Sequence, residues 1–102
     1  MSDKAWKRFE RRVAEMLPGG RRVPVADAES MLDVLSDLPL GVECKHRRRL
    51  PRLLTDALTQ ASDGCLEGQH PVVALGQHGD SSVYVFMKMD VLLALISSTE
   101  DI

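Results

Sequence analysis

A small α/β fold, with helices packed on a sheet, is predicted by three features of the sequence. Segments with a 3.6-residue apolar period alternate with short β-branched runs. Turn-forming residues (Pro18-Gly19-Gly20, Asp63-Gly64, Gln77-His78-Gly79-Asp80) separate them, and 102 residues suffice for one core but not two. The predicted order is α-β-β-β-α-β-β-α, a mixed central sheet flanked by helices in a single domain over residues 1–102.

The first helix is predicted over residues 3–17. Ala5, Trp6, Phe9, Val13, Met16 and Leu17 keep the helical period, and Ser2 or Asp3 is placed to cap the start. Lys4, Lys7, Arg8, Arg11 and Arg12 fill the opposite face. Glu10 falls at the edge of the apolar stripe, one turn from Trp6, where a carboxylate either pairs at the surface or leans over a site beside the core. Pro18-Gly19-Gly20 ends the helix, and Arg21-Arg22-Val23-Pro24-Val25 is a short strand whose proline suits an edge or an end. Residues 26–30 form a loop.

Two short apolar stretches follow, Met31-Leu32-Asp33-Val34-Leu35 and Val42-Glu43-Cys44-Lys45. The residues between them, Ser36-Asp37-Leu38-Pro39-Leu40-Gly41, carry turn chemistry and fold the two into an antiparallel pair. Alternation along a strand puts Glu43 and Lys45 on one face, with Val42 and Cys44 on the other. Pairing then brings Asp33 beside Glu43. Two carboxylates and an ammonium at one place are what metal-assisted phosphodiester cleavage needs. The plainer alternative is a strand-end aspartate next to a Glu43–Lys45 ion pair.

His46-Arg47-Arg48-Arg49 leave the sheet, and Pro51 suits the first turn of a second helix. Leu50, Leu53, Leu54, Ala57, Leu58 and Ala61 form its expected buried stripe, with Gln60 at the flank and Asp63-Gly64 as the stop. Pro71-Val72-Val73-Ala74-Leu75-Gly76 is compact and apolar, as a buried central strand would be, and Ser82-Val83-Tyr84-Val85-Phe86-Met87 is a further strand. Asp90 is placed to cap a last helix over residues 91–96. That helix is apolar nearly all round, hence buried or covered by a partner subunit. Residues 97–102 are expected to fray. Trp6, Phe9 and Phe86 are assigned to the core.

The net charge of −2 argues at first against a nucleic-acid protein, but the charges are segregated. Twelve of the thirteen Lys and Arg lie in residues 1–52 with eight of the acids, so that half carries +4 and the remainder −6. A basic face is therefore available. Cys44 and Cys65 are expected as free thiols of a reducing compartment. No apolar run reaches the roughly 18 to 20 residues of a membrane span, and Met1-Ser2-Asp3-Lys4-Ala5-Trp6 has no signal-peptide core, which makes a cytoplasmic setting the expectation. His46, His70 and His78 lack zinc-ligand spacing, there is no phosphate loop of the P-loop type, and four aromatics offer no stacking platform for single strands.

Glu10, Asp33, Glu43-x-Lys45 and Gln60, in this order and at these intervals, resemble the PD-(D/E)xK nuclease superfamily, and most closely the small archaeal and phage Holliday-junction resolvases. The likeness spans nearly the whole chain, from Trp6-Lys7-Arg8-Phe9-Glu10-Arg11 to Gln60-Ala61. It departs at Leu32, where the family has a proline that binds no metal, and at the acidic loop of residues 26–30, which is often Gly/Ser-rich in the family.

The resemblance implies a restriction-endonuclease-like core and a Mg²⁺- or Mn²⁺-dependent endonuclease that cuts Holliday junctions or other branched DNA. Asp33 and Glu43 would bind the ion, with the Cys44 backbone carbonyl as a further ligand. Lys45 would orient the attacking water and offset charge on the phosphorane; Glu10 and Gln60 would complete the site from the two helices. His46, Arg47, Arg48, Arg49 and Arg52 would hold phosphates beside the scissile bond, and Arg8, Arg11, Arg12, Arg21 and Arg22 would extend the basic DNA-binding face. Paired cuts across a two-fold symmetric junction call for a homodimer, with residues 83–87 and 91–96 as the expected interface. The alternatives are a nicking or restriction-like nuclease of a phage or mobile element, and a nuclease-fold module that binds DNA without cutting it.

Overall fold

The computed structural model describes residues 4–23 and 32–100. The chain divides into two compact units, residues 1–48 and 49–102, each of which is taken by itself. The elements are α1 (Ala5–Met16), β1 (Arg21–Arg22), β2 (Val34–Leu35), α2 (Arg52–Gly64), β3 (Val73–Gln77), β4 (Asp80–Phe86) and α3 (Met89–Glu100). Among the described residues they make a small mixed α/β protein with two antiparallel sheets of two strands, β1–β2 and β3–β4.

The predicted central sheet is therefore corrected to two separate ladders, and the predicted strand through Glu43 to a single antiparallel bridge, Val34 to Val42. The cause is local. The Val42 carbonyl accepts both the Asp33 N–H at 3.0 Å and the Val34 N–H at 3.1 Å. The next donor that could prolong the ladder, the Cys44 N–H, goes instead to the side chain of Asp33. A short acidic side chain has taken a main-chain partner, as aspartates near turns do.

In the first unit, α1 buries Glu10, Val13 and Ala14, and its C-cap Leu17 is buried with them, so the four recur at i, i+3, i+4 and i+7. Glu10 thus sits in the middle of the buried stripe rather than at its edge, while Trp6 and Met16, expected inside, are each 42% exposed. Lys4 is the N-cap and makes no side-chain capping bond. Ser2 and Asp3 lie outside the described residues, as do residues 24–31, which hold the end of the first predicted strand and the loop after it. The hard turn after α1 depends on glycine. Gly19 has φ +62°, and a Cβ at Gly20 would collide with the Ala14 carbonyl. The chain then enters β1, whose register sets Arg21 opposite Leu35 and Arg22 opposite Val34. Val34 is fully buried, and with Val13, Ala14, Leu17 and Val23 it forms the core of this unit.

In the second unit, Pro51 is the N-cap of α2, one residue before the helix rather than within its first turn, and α2 packs on β3. The predicted stripe of α2 is only half-buried at best, with Leu53 at 74% exposed. β3 pairs with β4 as Val73–Phe86, Ala74–Val85 and Leu75–Tyr84, and Gly79 at φ +84° carries the chain through the turn. Asp80 accepts the Ser82 N–H at 2.8 Å and the Tyr84 hydroxyl at 2.6 Å. The Tyr84 hydroxyl first, then the Ser82 N–H, holds its carboxyl below the ordinary value. β3 is not the buried central strand expected of it, because among the described residues it has a strand on one side only, and its side chains alternate between half-buried and exposed. α3 is longer than predicted. It begins at Met89, so Asp90 lies in its first turn, and it continues through residues 97–100, which were expected to fray. No helix among the described residues is long and apolar enough to cross a membrane.

Candidate functional site

Three segments of the first unit converge on one place: the N-terminal half of α1, the entry to β2, and residues 42–46. The Val42 carbonyl fixes the third segment to the second, and the Cys44 N–H donates to Asp33 Oδ2 at 2.6 Å. A cavity of about 310 Å³ opens between them. Glu10, Asp33, Glu43 and Lys45 line it, together with Trp6, Phe9, Cys44 and His46. Four of the five sequence-predicted catalytic residues are thus brought together. The fifth, Gln60, lies exposed on α2 in the second unit, and the cavity is described without it.

The four groups are held to different degrees. Glu10 is buried, at 8% exposed, and its Oε1 accepts from Arg22 Nε at 2.5 Å. Arg22 was expected on the DNA-facing surface; the structure commits it to Glu10 and lays its guanidinium over the Trp6 ring, 5.6 Å from the centroid. Asp33 is tied to the Cys44 N–H through one carboxylate oxygen. Glu43 and Lys45 lie close together although their segment is no strand. Their charges are 3.9 Å apart on side chains 60% and 77% exposed, a contact too loose and too wet to stabilise the fold appreciably.

The acidity of the cavity registers at Cys44. Burial first, and then the carboxylates of Asp33, Glu10 and Glu43, push its thiol up to about 11. Such a thiol stays protonated and is no nucleophile at neutral pH. Both cysteines are free.

A hard divalent ion suits this donor set. Asp33 and Glu43 supply carboxylate oxygens, the Cys44 carbonyl is a neighbouring oxygen, and a Mg²⁺- or Mn²⁺-type ion bound through one or two carboxylates keeps several waters. Among the described residues, no three His, Cys, Asp or Glu side chains already stand together as a ready-made cage.

Two contributors were not legible as site residues. Trp6 and Phe9 were assigned to the core, yet both line the cavity, and Phe9 stacks on His46 with ring centroids 5.1 Å apart and an interplanar angle of 17°. The spacing of Trp6, Phe9 and Glu10 was the available signal, since i, i+3 and i+4 share one helix face. Arg12 and Lys7 lie over these rings, at 5.4 Å from Phe9 and 5.5 Å from Trp6. The Arg22–Glu10 pair had no signal in sequence, because it joins a helix to a strand.

The other basic residues are distributed over both units. Arg8, Arg12, Arg21, His46, Arg47 and Arg48 are exposed in the first unit and Arg11 is half-buried there. Arg49 and Arg52 are exposed in the second, where Arg52 stands 3.9 Å from Asp56. No protein-family model, no curated protein and no solved structure matches this chain.

Proposed function

We propose that the chain is a metal-dependent endonuclease of branched DNA, Holliday junctions foremost, with its active site in the first unit. The observation that supports this most is the meeting of Glu10, Asp33, Glu43 and Lys45 around one cavity, at the foot of the exposed Arg47-Arg48 run. In this reading Asp33 and Glu43 hold the ion from two segments that main-chain bonds through the Val42 carbonyl keep side by side. When bound, a divalent ion polarises a phosphate oxygen and lowers the pKa of water. Lys45, close to Glu43, orients the attacking water and offsets charge growing on the phosphate. His46 is held by its stack on Phe9, and with Arg47 and Arg48 it fixes the backbone of the duplex without reading its sequence. A homodimer supplies the second cut.

The test is incubation of a synthetic four-way junction, beside linear and flapped duplexes, with Mg²⁺ or Mn²⁺. The proposal expects cutting of the junction, and Asp33→Asn and Glu43→Gln variants that bind it but no longer cut. Cleavage that survives both changes would remove the site. Preference for the linear duplex would favour the restriction-like alternative.

One observation favours a module that binds DNA without cutting: Glu10 is already committed to Arg22 and Asp33 to the Cys44 N–H. Calorimetry distinguishes it, since such a module takes up no Mn²⁺.

A further inference from the structure

Glu10 is a buried carboxylate whose cation belongs to the protein. The contact from Arg22 Nε is short, at 2.5 Å, and the two side chains are 10% and 23% exposed for Glu10 and Arg22 respectively. Arg22 is not a wandering surface group. The β1–β2 register sets it opposite the fully buried Val34, and its guanidinium also rests over Trp6, which lines the cavity. A guanidinium keeps its charge at any pH the protein meets, and half out of water it is a strong, permanent counter-ion.

Asp33, Glu43 and Glu10 put three carboxylates on one cavity, one more than the one or two through which a Mg²⁺-type ion is bound. A carboxylate already balanced by a guanidinium is, however, a poor ligand, because an incoming ion must displace the arginine or sit beside a like charge. We infer that Arg22 is the resident cation of the cavity: it occupies at Glu10 the position a second divalent ion would otherwise take, and so holds the centre to one ion at Asp33 and Glu43. This rests on the metal-dependent reading above and deepens it. Arg22 is a positioning residue for Glu10 in this scheme, not a DNA contact.

The experiment is calorimetric titration of the whole chain with Mn²⁺, with the emission of Trp6, the single tryptophan, as a second readout. The wild-type chain takes one ion. Arg22→Gln takes two, and the second is lost again in Arg22→Gln/Glu10→Gln, in which no buried charge is left unpaired. Arg22→Lys, which keeps the charge, stays at one. Mn²⁺ quenches Trp6 more deeply in Arg22→Gln than in the wild type, because the added ion sits at Glu10, one helical turn away.

One ion of unchanged affinity in a folded Arg22→Gln variant overturns the inference and leaves the nuclease reading standing, and so do two ions in the wild type. No ion in the wild type but one in Arg22→Gln keeps the role of Arg22 and removes the Asp33–Glu43 centre. No ion in either overturns both. Should Arg22→Gln fail to fold, the wild-type chain decides alone: the first Mn²⁺ leaves the wavelength of Trp6 emission where it was, and a shift would mean that Arg22 had been displaced.

Discussion

The main-chain N–H of Cys44 donates to Asp33 Oδ2 at 2.6 Å, so the carboxylate proposed as a metal ligand is also the group that ends the strand pairing. The two duties separate by substitution. Asp33→Ala leaves a partly buried N–H without its charged acceptor and is expected to cost about 1.5 to 3 kcal/mol of stability. Asp33→Asn keeps an acceptor oxygen and is expected to retain most of that stability, while metal uptake is lost in both. Urea unfolding beside Mn²⁺ calorimetry checks this. Equal stability of the Ala and Asn variants would mean that the bond holds nothing.

The Cys44 thiol gives a pH signature. Its folded value, about 11, stands above the ordinary 9.0, so the folded state favours the protonated thiol. The associated stability is complete below pH 9 and is lost as the pH rises toward 11. In a Cys65→Ser background, iodoacetamide alkylation of Cys44 is therefore expected to keep climbing between pH 9 and 11. Asp33→Asn removes the nearest cause after burial and moves the rise to lower pH without restoring the ordinary value. A rate that levels off by about pH 10, as a thiol of the ordinary 9.0 does, would contradict the burial and the clustered carboxylates together.

What could be read in the sequence was local, and what could not was the pairing of distant segments. The helix was legible because the period is strong, but whether Ala14 or Met16 faces inward depends on what the helix meets, and it meets β1 and β2 with Ala14 buried and Met16 exposed. Asp33, Glu43 and Lys45 could be placed near one another because a six-residue connection between short apolar runs leaves little choice but an antiparallel return. That the return would be one bridge long was hidden, since it turns on a side chain capturing the Cys44 N–H. Val73 to Leu75 looked buried by composition, and Val83 to Val85 were read as part of a further strand at an interface; strand identity was right, but apolar letters do not say how many neighbours a strand has.

Those exposed strand residues carry a prediction of their own. Val83, Tyr84 and Val85 are 71%, 52% and 57% exposed and, because side chains alternate, they leave both faces of β4 apolar. Contiguous apolar surface of this kind marks an interface. A second copy of the chain is the expected cover, and light scattering at micromolar concentration is expected to give twice the monomer mass of 11.3 kDa. Val83→Lys with Val85→Lys is expected to return the monomer, still folded by circular dichroism, and junction cutting by it to become single nicks. A monomeric wild-type chain would withdraw the homodimer.

The arginine run is best tested through salt. Arg47, Arg48 and Arg49 are all exposed, so their replacement by alanine is expected to change stability by no more than about 0.5 kcal/mol. If each meets a phosphate, each releases a counter-ion, and the slope of log binding constant against log salt falls by about 0.9 per residue, or about 2.7 for the triple variant. The loss must be similar on linear and four-way DNA, because phosphate contacts position the protein without reading sequence. Asp33→Asn, by contrast, removes negative charge from the cavity and, if the proposed site binds DNA, is expected to strengthen binding at low salt while abolishing cleavage. Filter binding from 50 to 300 mM NaCl separates the cases: a slope that the triple variant leaves unchanged would make residues 47–49 a solvated surface and withdraw them from the proposed DNA contact.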